Sequence, residues 1–238
     1  MSGYILHTDS QRVIIATTES SNRKTGDMIQ AWILRNDMSP VDAVRSNQDD
    51  AICGDCKLRG TDGWTDRTCY VNVAQGPNAV WRAYKAGRYA YLPQCRYPEV
   101  FTGRAVRWGA YGDPVHIPLG VLRYVCLFAR KWTGYTHQWA KPQYAPYREY
   151  LMASVDSELE YWRAHVHGWR CFRVRPAGEL MIPGEIPCPA SDEQGHKTTC
   201  ERCGLCNGIR ANDRRKDITI LVHGMNKRNL SNLIQLGA

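Results

Sequence analysis

The sequence predicts an α/β fold, a partial (β/α) barrel-like parallel sheet with a cysteine-rich C-terminal insertion. Short strand-like segments alternate with helical segments from residue 105 to residue 175, which is typical of folds whose helices connect parallel strands. Polar residues follow several of these segments, where the loops of such folds form functional sites. We expect a single α/β domain over residues 1–238.

The first half of the chain begins with two β-branched strands separated by a polar turn. Ser39-Pro40 then has the residues of a helix start, with Ser39 as the N-cap. A glycine-rich and polar stretch, residues 51–70, reads as a loop of a length that is usually functional or held by something else. The predicted elements here are strands over 12–18 and 28–34 and helices over 40–48 and 78–91.

The second half supplies the alternating pattern. The predicted strands cover residues 105–110, 133–139, 150–155, 170–174 and 218–222. The predicted helices between them cover residues 119–131 and 157–167.

Composition and charge indicate where the protein is located and which partners it binds. The 238 residues are 43% hydrophobic, without the roughly 18 consecutive apolar residues of a membrane span. The first fifteen residues lack the pattern of a signal peptide, so we expect a soluble, cytoplasmic protein without membrane contact. A net charge of +8 favours nucleic acid, a nucleotide or another polyanion as partner. A merely basic, solvated surface is the alternative.

Four of the ten cysteines lie near the C-terminus, within residues 186–210. Cys188, Cys200, Cys203 and Cys206 have the spacing C-x11-C-x2-C-x2-C. Cys-x2-Cys-x2-Cys with a more distant cysteine is a recurrent iron–sulfur ligand run, whereas zinc sites usually show two separated pairs. We therefore predict a metal-binding insertion that holds an iron–sulfur cluster. Zinc and unliganded thiols are the alternatives, and His196 could replace one cysteine.

Three further cysteines lie in the 51–70 loop. Cys53, Cys56 and Cys69 have the spacing C-x2-C-x12-C. Cys95 would complete a closed structural site, for example with zinc. Without Cys95 the metal keeps an open position, which chemistry requires. Both alternatives stay open on the sequence.

Several polar residues are placed where a pocket would open. Gly112 and Asp113 follow a strand and would let a ligand approach the backbone, although an ordinary turn capped by Asp113 is the alternative. Ser154 and Asp156 end the next-but-one strand. Arg173 could grip a carboxylate or phosphate, or form a structural salt bridge with Asp156. His137 could line the pocket or be structural.

These motifs together resemble the radical S-adenosylmethionine enzymes. The carriers are the three-cysteine loop followed by Tyr70 and the strand that ends in Tyr-Gly-Asp-Pro at 111–114. The resemblance implies a [4Fe–4S] cluster with one open iron on Cys53, Cys56 and Cys69, and S-adenosylmethionine against Gly112 and Asp113. It implies an additional C-terminal cluster and a partial barrel. The family's usual loop is Cys-x3-Cys-x2-Cys, which is shorter than the loop here.

The whole chain also resembles a family of cysteine-rich proteins encoded by bacteriophages. The segments that carry this resemblance are AsnArgLysThrGlyAsp at 22–27, IleCysGlyAspCys at 52–56, TyrGlyAspPro at 111–114, ThrGlyTyrThrHisGlnTrp at 133–139 and the final cysteine cluster. The resemblance implies a viral origin, and so the host cytoplasm, but no particular activity.

Three functions are consistent with the sequence. The first is an iron–sulfur enzyme of radical S-adenosylmethionine type that modifies a nucleotide, nucleic acid or peptide. The second is a non-catalytic module stapled by zinc or iron–sulfur, which binds nucleic acid or a host protein. The third is a redox or sensor protein whose clusters carry electrons only.

Overall fold

The computed structural model describes residues 2–222. The N-terminal strands form an antiparallel meander: β1 (Gly3–Thr8) pairs with β2 (Arg12–Thr17), and β2 pairs with β3 (Ile29–Arg35). A short strand, β4 (Ala90–Tyr91), adds to the free edge of β1. Beyond β3 the strand order continues through two further strands, so that the first sheet reads β4-β1-β2-β3-β5-β6.

Every strand pair after β3 is parallel within the described part of the chain. The first sheet ends with β5 (Ala105–Tyr111) and β6 (Lys131–Thr133). The second sheet has the order β10-β11-β9-β8-β7. Its strands are β7 (Tyr135–Thr136), β8 (Met152–Val155), β9 (Cys171–Arg175), β10 (Glu185–Pro187) and β11 (Asp217–Leu221).

One glycine separates the two sheets. Gly134 lies between β6 and β7, and its carbonyl accepts the N–H of Met152 at the start of β8. A Cβ at Gly134 would lie 2.6 Å from Leu151 Cδ2 and 2.9 Å from Trp108 Cβ. Only glycine lets the chain pass this close to its neighbours, so the run of parallel strands continues past Gly134 from one sheet to the other.

Seven helices complete the described chain, several of them capped by side chains. Ser39 accepts the N–H of Asp42 at the first helix, and Ser157 accepts the N–H of Glu160 at the sixth. The helices are α1 (Pro40–Arg45), α2 (Asp50–Cys53), α3 (Gly76–Lys85), α4 (Tyr97–Phe101), α5 (Leu119–Phe128), α6 (Glu158–Val166) and α7 (Cys200–Cys203). No helix of residues 2–222 has the length and hydropathy that crossing a membrane requires.

The two faces of the parallel strands belong to different cores. In β9, Cys171 belongs to the larger core, whereas Phe172 and Val174 belong to a smaller apolar cluster. Successive side chains of a strand point to opposite faces, so the smaller cluster covers the other side of the sheet. Cysteines from both predicted metal sites pack against that smaller cluster: Cys56, Cys69, Cys188, Cys200 and Cys206.

The predicted α/β class is confirmed, and several boundaries need correction. The helix predicted over 78–91 ends at Lys85, and residues 90–91 join the sheet as β4. The helix predicted over 119–131 ends at Phe128, because residue 131 already pairs with β5. The strand predicted over 133–139 is interrupted at Gly134 and ends at Thr136.

The meander and three strands are further differences from the sequence prediction. β1 and β2 are antiparallel, although a parallel sheet was predicted. The strands β1, β4 and β10 were not predicted at all. All three lie at or next to a sheet edge, where a strand needs less hydrophobic sequence.

Candidate metal centre

The first two cysteines of the N-terminal group are held at the ends of β5 and β7. Cys53 ends α2, whose Ile52 carbonyl accepts the N–H of Asp113 at 2.8 Å. The Gln138 side-chain amide donates to the Cys53 carbonyl at 3.2 Å. These bonds fix the Cys53–Cys56 turn over the carboxyl ends of parallel strands, where sites in α/β folds form.

The third cysteine returns to the first two because the intervening loop closes on itself. The N–H groups of Thr68 and Cys69 both donate to the Leu58 carbonyl, at 3.1 and 2.8 Å. Within the loop, the Asp66 carboxylate accepts the N–H groups of Thr61 and Asp62. The twelve-residue gap is thus a self-contained excursion, and Cys69 comes back beside Cys53 and Cys56. We call these three residues the cysteine triad.

Burial and charge define the environment of the triad. Burial, reinforced by neighbouring Cys56, raises the pKa of Cys53 well above its usual value. Burial also raises the pKa of Cys69, against the opposing charge of Arg67. Unliganded, these groups are therefore neutral thiols, and thiolates here need compensating positive charge.

Arg67 and Tyr111 bring unused hydrogen-bond donors to the triad. Arg67 is 3% exposed and donates through Nη1 to Asp49 at 3.0 Å. Its Nε and Nη2, like the Tyr111 hydroxyl, are buried and find no hydrogen-bond partner among residues 2–222. Buried donors left unpaired are costly, so their position beside Cys53 and Cys69 suits an anionic ligand held by the triad.

His137 lies next to Cys56 of the triad and hydrogen-bonds to it. Burial by itself would lower the pKa of His137, but Cys56, and then Asp156 and Asp113, raise it to about 10. Asp156 is 1% exposed and forms an ion pair with Lys57 at 3.2 Å. Its Oδ2 lies 3.9 Å from His137 Nε2, so the Asp156 carboxylate stabilises the protonated form of the histidine.

The predicted cofactor residues of β5 reach the cavity at the triad. Gly112 and Asp113 both line it. Gly112 has φ +79°, and a Cβ there would lie 2.7 Å from Ile33 Cβ, so only glycine fits. The Asp113 carboxylate accepts the N–H groups of Val115 and His137, at 3.2 and 2.9 Å. The capped turn is therefore present in this structure, at the wall of the cavity.

The other predicted cofactor residues divide between the cavity and the opposite face. Ser154 lines the cavity. Arg173 lies on the face of β9 opposite to Phe172 and Val174, which line the cavity. Its guanidinium forms a buried pair with Glu185 at 2.7 Å and a second pair with Glu179. Of the two alternatives for Arg173, the structure shows a salt bridge, although with Glu185 and not with Asp156.

The C-terminal cysteines form a second group, which we call the cysteine quartet. They are Cys188, Cys200, Cys203 and Cys206. Cys203 and Cys200 act electrostatically on Cys188 and Cys206, so the four thiols are mutual neighbours. After burial, the largest effect on the pKa of Cys200 is the opposing positive charge of Lys24, followed by that of Arg107.

Backbone hydrogen bonds attach the quartet to the rest of the fold. The Cys200 N–H donates to Lys24 O at 2.9 Å, and the Cys188 N–H donates to Thr219 O at 2.8 Å. The Gly134 N–H donates to Cys206 O at 3.0 Å, between the two sheets. Both ring nitrogens of His196 have other partners, Ala190 O and Asp192 Oδ1, which leaves the four cysteines as the donor set.

Cys95 lies far from the triad. It is exposed, within a single turn that follows β4 at the edge of the first sheet. Three strand spacings, about 14 Å, separate β4 from β3. The residues whose charges act on Cys53 are Cys56, Asp49, Cys69 and Arg67. The triad is therefore a three-cysteine set within the described residues.

The triad and the quartet face one interior space. The cavity at the triad has a volume of about 100 Å³. Tyr135 and Phe172 form its far wall, with ring centroids 4.2 Å apart. Tyr135 also contacts Cys206 of the quartet through a side-chain hydrogen bond. An aromatic pair thus stands between the two cysteine groups.

Another donor cluster lies at the starts of β9 and β11. Among the described residues, the donor atoms of His165, Cys171 and Asp217 lie within 4.8 Å of one another. His165 Nε2 is 2.6 Å from Asp217 Oδ2, and the Cys171 N–H donates to Asp217 Oδ1 at 2.9 Å. Both oxygens are already used, which indicates a satisfied structural cluster.

Sequence reasoning missed Arg67, Lys24 and Tyr135 as site residues. Arg67 lies only two residues before Cys69, and that proximity was the one available signal. The other two reach the site through strand order and loop packing, which no local pattern encodes.

Comparison with known proteins gives no relative: no protein-family model, no curated protein and no solved structure matches the chain. The interpretation of the site therefore depends on its own residues.

Proposed function

We propose that the protein is an iron–sulfur enzyme of radical S-adenosylmethionine type, encoded by a bacteriophage, that modifies a nucleotide or nucleic acid. The observation that carries the proposal is the cysteine triad. It brings three thiols from a closed loop to the carboxyl ends of parallel strands, beside a cavity, without a fourth cysteine among the described residues. Such a set holds a metal centre and leaves one position open for a reactant.

The spacing of the thiols favours a cluster over a single zinc ion. Zinc–sulfur bonds of about 2.3 Å in a tetrahedron place two thiolates about 3.8 Å apart. Among residues 2–222, only His165, Cys171 and Asp217 have three donor atoms within 4.8 Å of one another. The sulfur atoms of the triad and of the quartet are therefore spaced more widely than a single zinc ion requires. A [4Fe–4S] cluster binds each thiolate at a different iron and so spaces them more widely.

The donors around the triad fit an anionic cluster. Arg67 and Tyr111 offer buried N–H and O–H groups that lack protein partners, and hydrogen bonds to cluster sulfurs are a main determinant of reduction potential. The quartet, with Lys24 and Arg107 beside it, fits a second, closed cluster that is structural or carries electrons.

The strand order supports the partial barrel of the predicted fold. In the first sheet β3, β5 and β6 are neighbouring parallel strands, and in the second sheet β7, β8, β9 and β11 are. Gly134 alone separates β6 from β7 along the chain. Sequential parallel strands of this kind, with helices on one face, are the arrangement of (β/α) barrels. The other face holds the cavity and both cysteine groups.

The residues of the chain would divide the work as follows. A bound cluster with one open iron supplies the reductive cleavage of S-adenosylmethionine, using one electron from an external reductant. The triad would hold the cluster, and Gly112 would let the cofactor approach the backbone. Ser154 and the buried Asp113 turn would bound the cofactor space. The apolar walls at Val71, Phe172 and Val174 would exclude water.

Anaerobic purification with iron and sulfide analysis tests the proposal. We expect a brown protein with about eight irons per chain, as two [4Fe–4S] clusters require, and cleavage of S-adenosylmethionine after reduction. Replacing Cys53, Cys56 and Cys69 together by Ala should remove about half of the iron and all cleavage, whereas Cys95→Ala should change neither.

The non-catalytic module is the second candidate, and one observation favours it. Both carboxylate oxygens of Asp113 are engaged by backbone N–H groups, as in a purely structural turn. A colourless protein that contains zinc would establish this alternative and contradict the enzyme. A brown protein that leaves S-adenosylmethionine intact would indicate a redox or structural role for the clusters.

A further inference from the structure

A continuous groove connects the triad with the quartet. Beyond the triad cavity lie two more cavities, of about 260 and 280 Å³. Tyr70 lines all three, and Arg107 lines the two outer ones. The three spaces therefore meet around the Tyr70 ring. We call the two outer cavities together the interior groove.

The walls of the groove combine aromatic rings with positive charge. Tyr135 and Phe172 line it on the side of the sheet, and Lys24 and Arg107 line it near Cys200. The side chains of Asn22, Thr25 and Thr133 add hydrogen-bonding groups. Aromatic faces stack on nucleobases, and paired cations bind phosphate.

Among residues 2–222, neither Lys24 nor Arg107 forms an ion pair with a carboxylate. Arg107 hydrogen-bonds to the Tyr70 side chain, which carries no charge at neutral pH. Other half-buried cations of the chain do form ion pairs, such as Arg35 with Asp37 and Arg59 with Asp49. Two neighbouring cations without a carboxylate leave positive charge available to a ligand.

We propose that the interior groove binds a phosphorylated nucleoside, with its base against Tyr135 and Phe172 and its phosphate at Lys24 and Arg107. The proposal rests on the proposed function, since it names the substrate of the same site. Volumes near 260 and 280 Å³ fit a ligand of this size, at the lower end of small-molecule pockets. The ligand would occupy the interior groove and not the triad cavity, whose volume is about 100 Å³.

Calorimetric titration of the anaerobically purified full chain tests the groove. The probes are adenosine 5′-monophosphate, adenosine, inorganic phosphate and a single-stranded DNA 12-mer. We expect the monophosphate to bind more tightly than adenosine or phosphate. Arg107→Met should weaken it about tenfold or more, as the loss of a charge-assisted hydrogen bond implies. Phe172→Leu should weaken adenosine and its monophosphate in parallel.

The matched control is Arg123→Met, which removes the same charge from an exposed position on α5. Arg123→Met should leave nucleotide binding unchanged if the groove is the binding site. A loss of binding in this variant would indicate a general attraction of anions to the basic chain. The DNA arm identifies the source of the ligand. Binding of the 12-mer that depends on Arg107, without binding of the monophosphate, would assign the groove to a polynucleotide.

Two results would overturn the proposal. One is that no nucleotide probe binds in an Arg107-dependent way. The other is that Arg107→Met loses iron from the quartet, which would show that the cation serves the cluster. Iron content and S-adenosylmethionine cleavage are measured on the same samples. Arg107-dependent binding without cleavage would therefore contradict the proposed enzyme but support the nucleotide site in the groove. Cleavage without such binding would support the enzyme and contradict the nucleotide site.

Discussion

A single buried arginine bears directly on the cysteine triad. Arg67 keeps Asp49 paired through Nη1 and holds two further nitrogens, without hydrogen-bond partners in the described chain, near Cys53 and Cys69. Burial by itself would lower the pKa of Arg67, and the neighbouring thiols, Tyr111 and Asp49 raise it. The guanidinium is therefore charged and lies beside the triad, where negative charge would accumulate on the proposed cluster.

Replacing Arg67 by Met should lower the reduction potential of the triad cluster, by on the order of tens of millivolts, because a cation and its donors stabilise the reduced, more negative state. Redox titration followed by electron paramagnetic resonance measures the change. Arg59→Met is the control, since Arg59 contacts the same Asp49 carboxylate but is not among the charges that act on Cys53. Equal shifts in the two variants would contradict a direct role of Arg67.

The environment of a second residue, His116, makes the free energy of unfolding depend on pH. Burial, reinforced by Arg12, lowers its pKa from 6.5 to about 4, and its Nδ1 lies 2.9 Å from Arg12 Nη1. The folded chain therefore takes up a proton less readily than the unfolded chain. The stabilisation is complete above pH 6.5 and is lost as the pH falls towards 4, by about 2 kcal/mol between pH 7.5 and pH 5.

The test compares His116→Gln with the parent chain in urea at both pH values. The glutamine keeps an acceptor for Arg12 but does not titrate, so its loss of stability between the two pH values should be smaller by about 2 kcal/mol. The difference between the two chains isolates His116 from the carboxylates that also titrate. Identical losses would show that the histidine is not held in its neutral form.

At this scale the sequence predicted donor types but not their surroundings. The spacing of the cysteines predicted seven candidate ligands, because short ligand spacings are local, and the structure groups these cysteines as the triad and the quartet. The spacing did not show whether Cys95 joins the triad, because the position of Cys95 depends on the order of the strands in the sheet. Alternation predicted that Arg173 lies opposite to Phe172, but the sequence could not show that Glu185 and Glu179 engage its guanidinium.

At the scale of elements, the loop from residue 57 to residue 68 determines whether the triad forms. Asp66 closes it by accepting two backbone N–H groups and the Thr61 hydroxyl. These hydrogen bonds lower the pKa of Asp66 from 3.8 to about 2, so the carboxylate is ionised at neutral pH.

Opening this loop should empty the triad and leave the quartet filled. Asp66→Ala removes three acceptor contacts, each worth about 1 kcal/mol or more, and frees Cys69 to move away. We expect loss of about half of the iron. Asp62→Ala is the matched control on the same loop, because Asp62 contributes only backbone groups to the closure. Full iron content in Asp66→Ala would show that Cys69 is positioned without the loop.

Element prediction succeeded where periodicity was strong and failed at the edges. The buried strands β2 and β3 are rich in apolar and β-branched residues, and β5 and β9 contain aromatic residues and valine, which local propensity recognises. The edge strands β4 and β10 are two and three residues long and exist because a neighbour offers free backbone groups. The break at Gly134 follows from the approach of Trp108 and Leu151, which is a tertiary effect.

At the scale of the whole molecule, both cysteine groups face one interior. Cys56 and Cys69 of the triad and Cys188, Cys200 and Cys206 of the quartet all belong to, or pack against, the same apolar cluster. Tyr135 and Phe172 bridge the groups, with the Tyr135 hydroxyl hydrogen-bonded at Cys206 and the Phe172 ring in the triad cavity. Two clusters held there would be separated by little more than this aromatic pair.

Such proximity predicts magnetic coupling between the two clusters. When both are reduced, the electron paramagnetic resonance spectrum should be broadened and relax faster than the sum of two independent signals, because paramagnets at short range interact through their dipoles. The reference spectra come from the triad Ala variant, which retains the quartet, and from a quartet variant with all four cysteines replaced by Ala. A parent spectrum equal to the sum of these two would contradict such proximity.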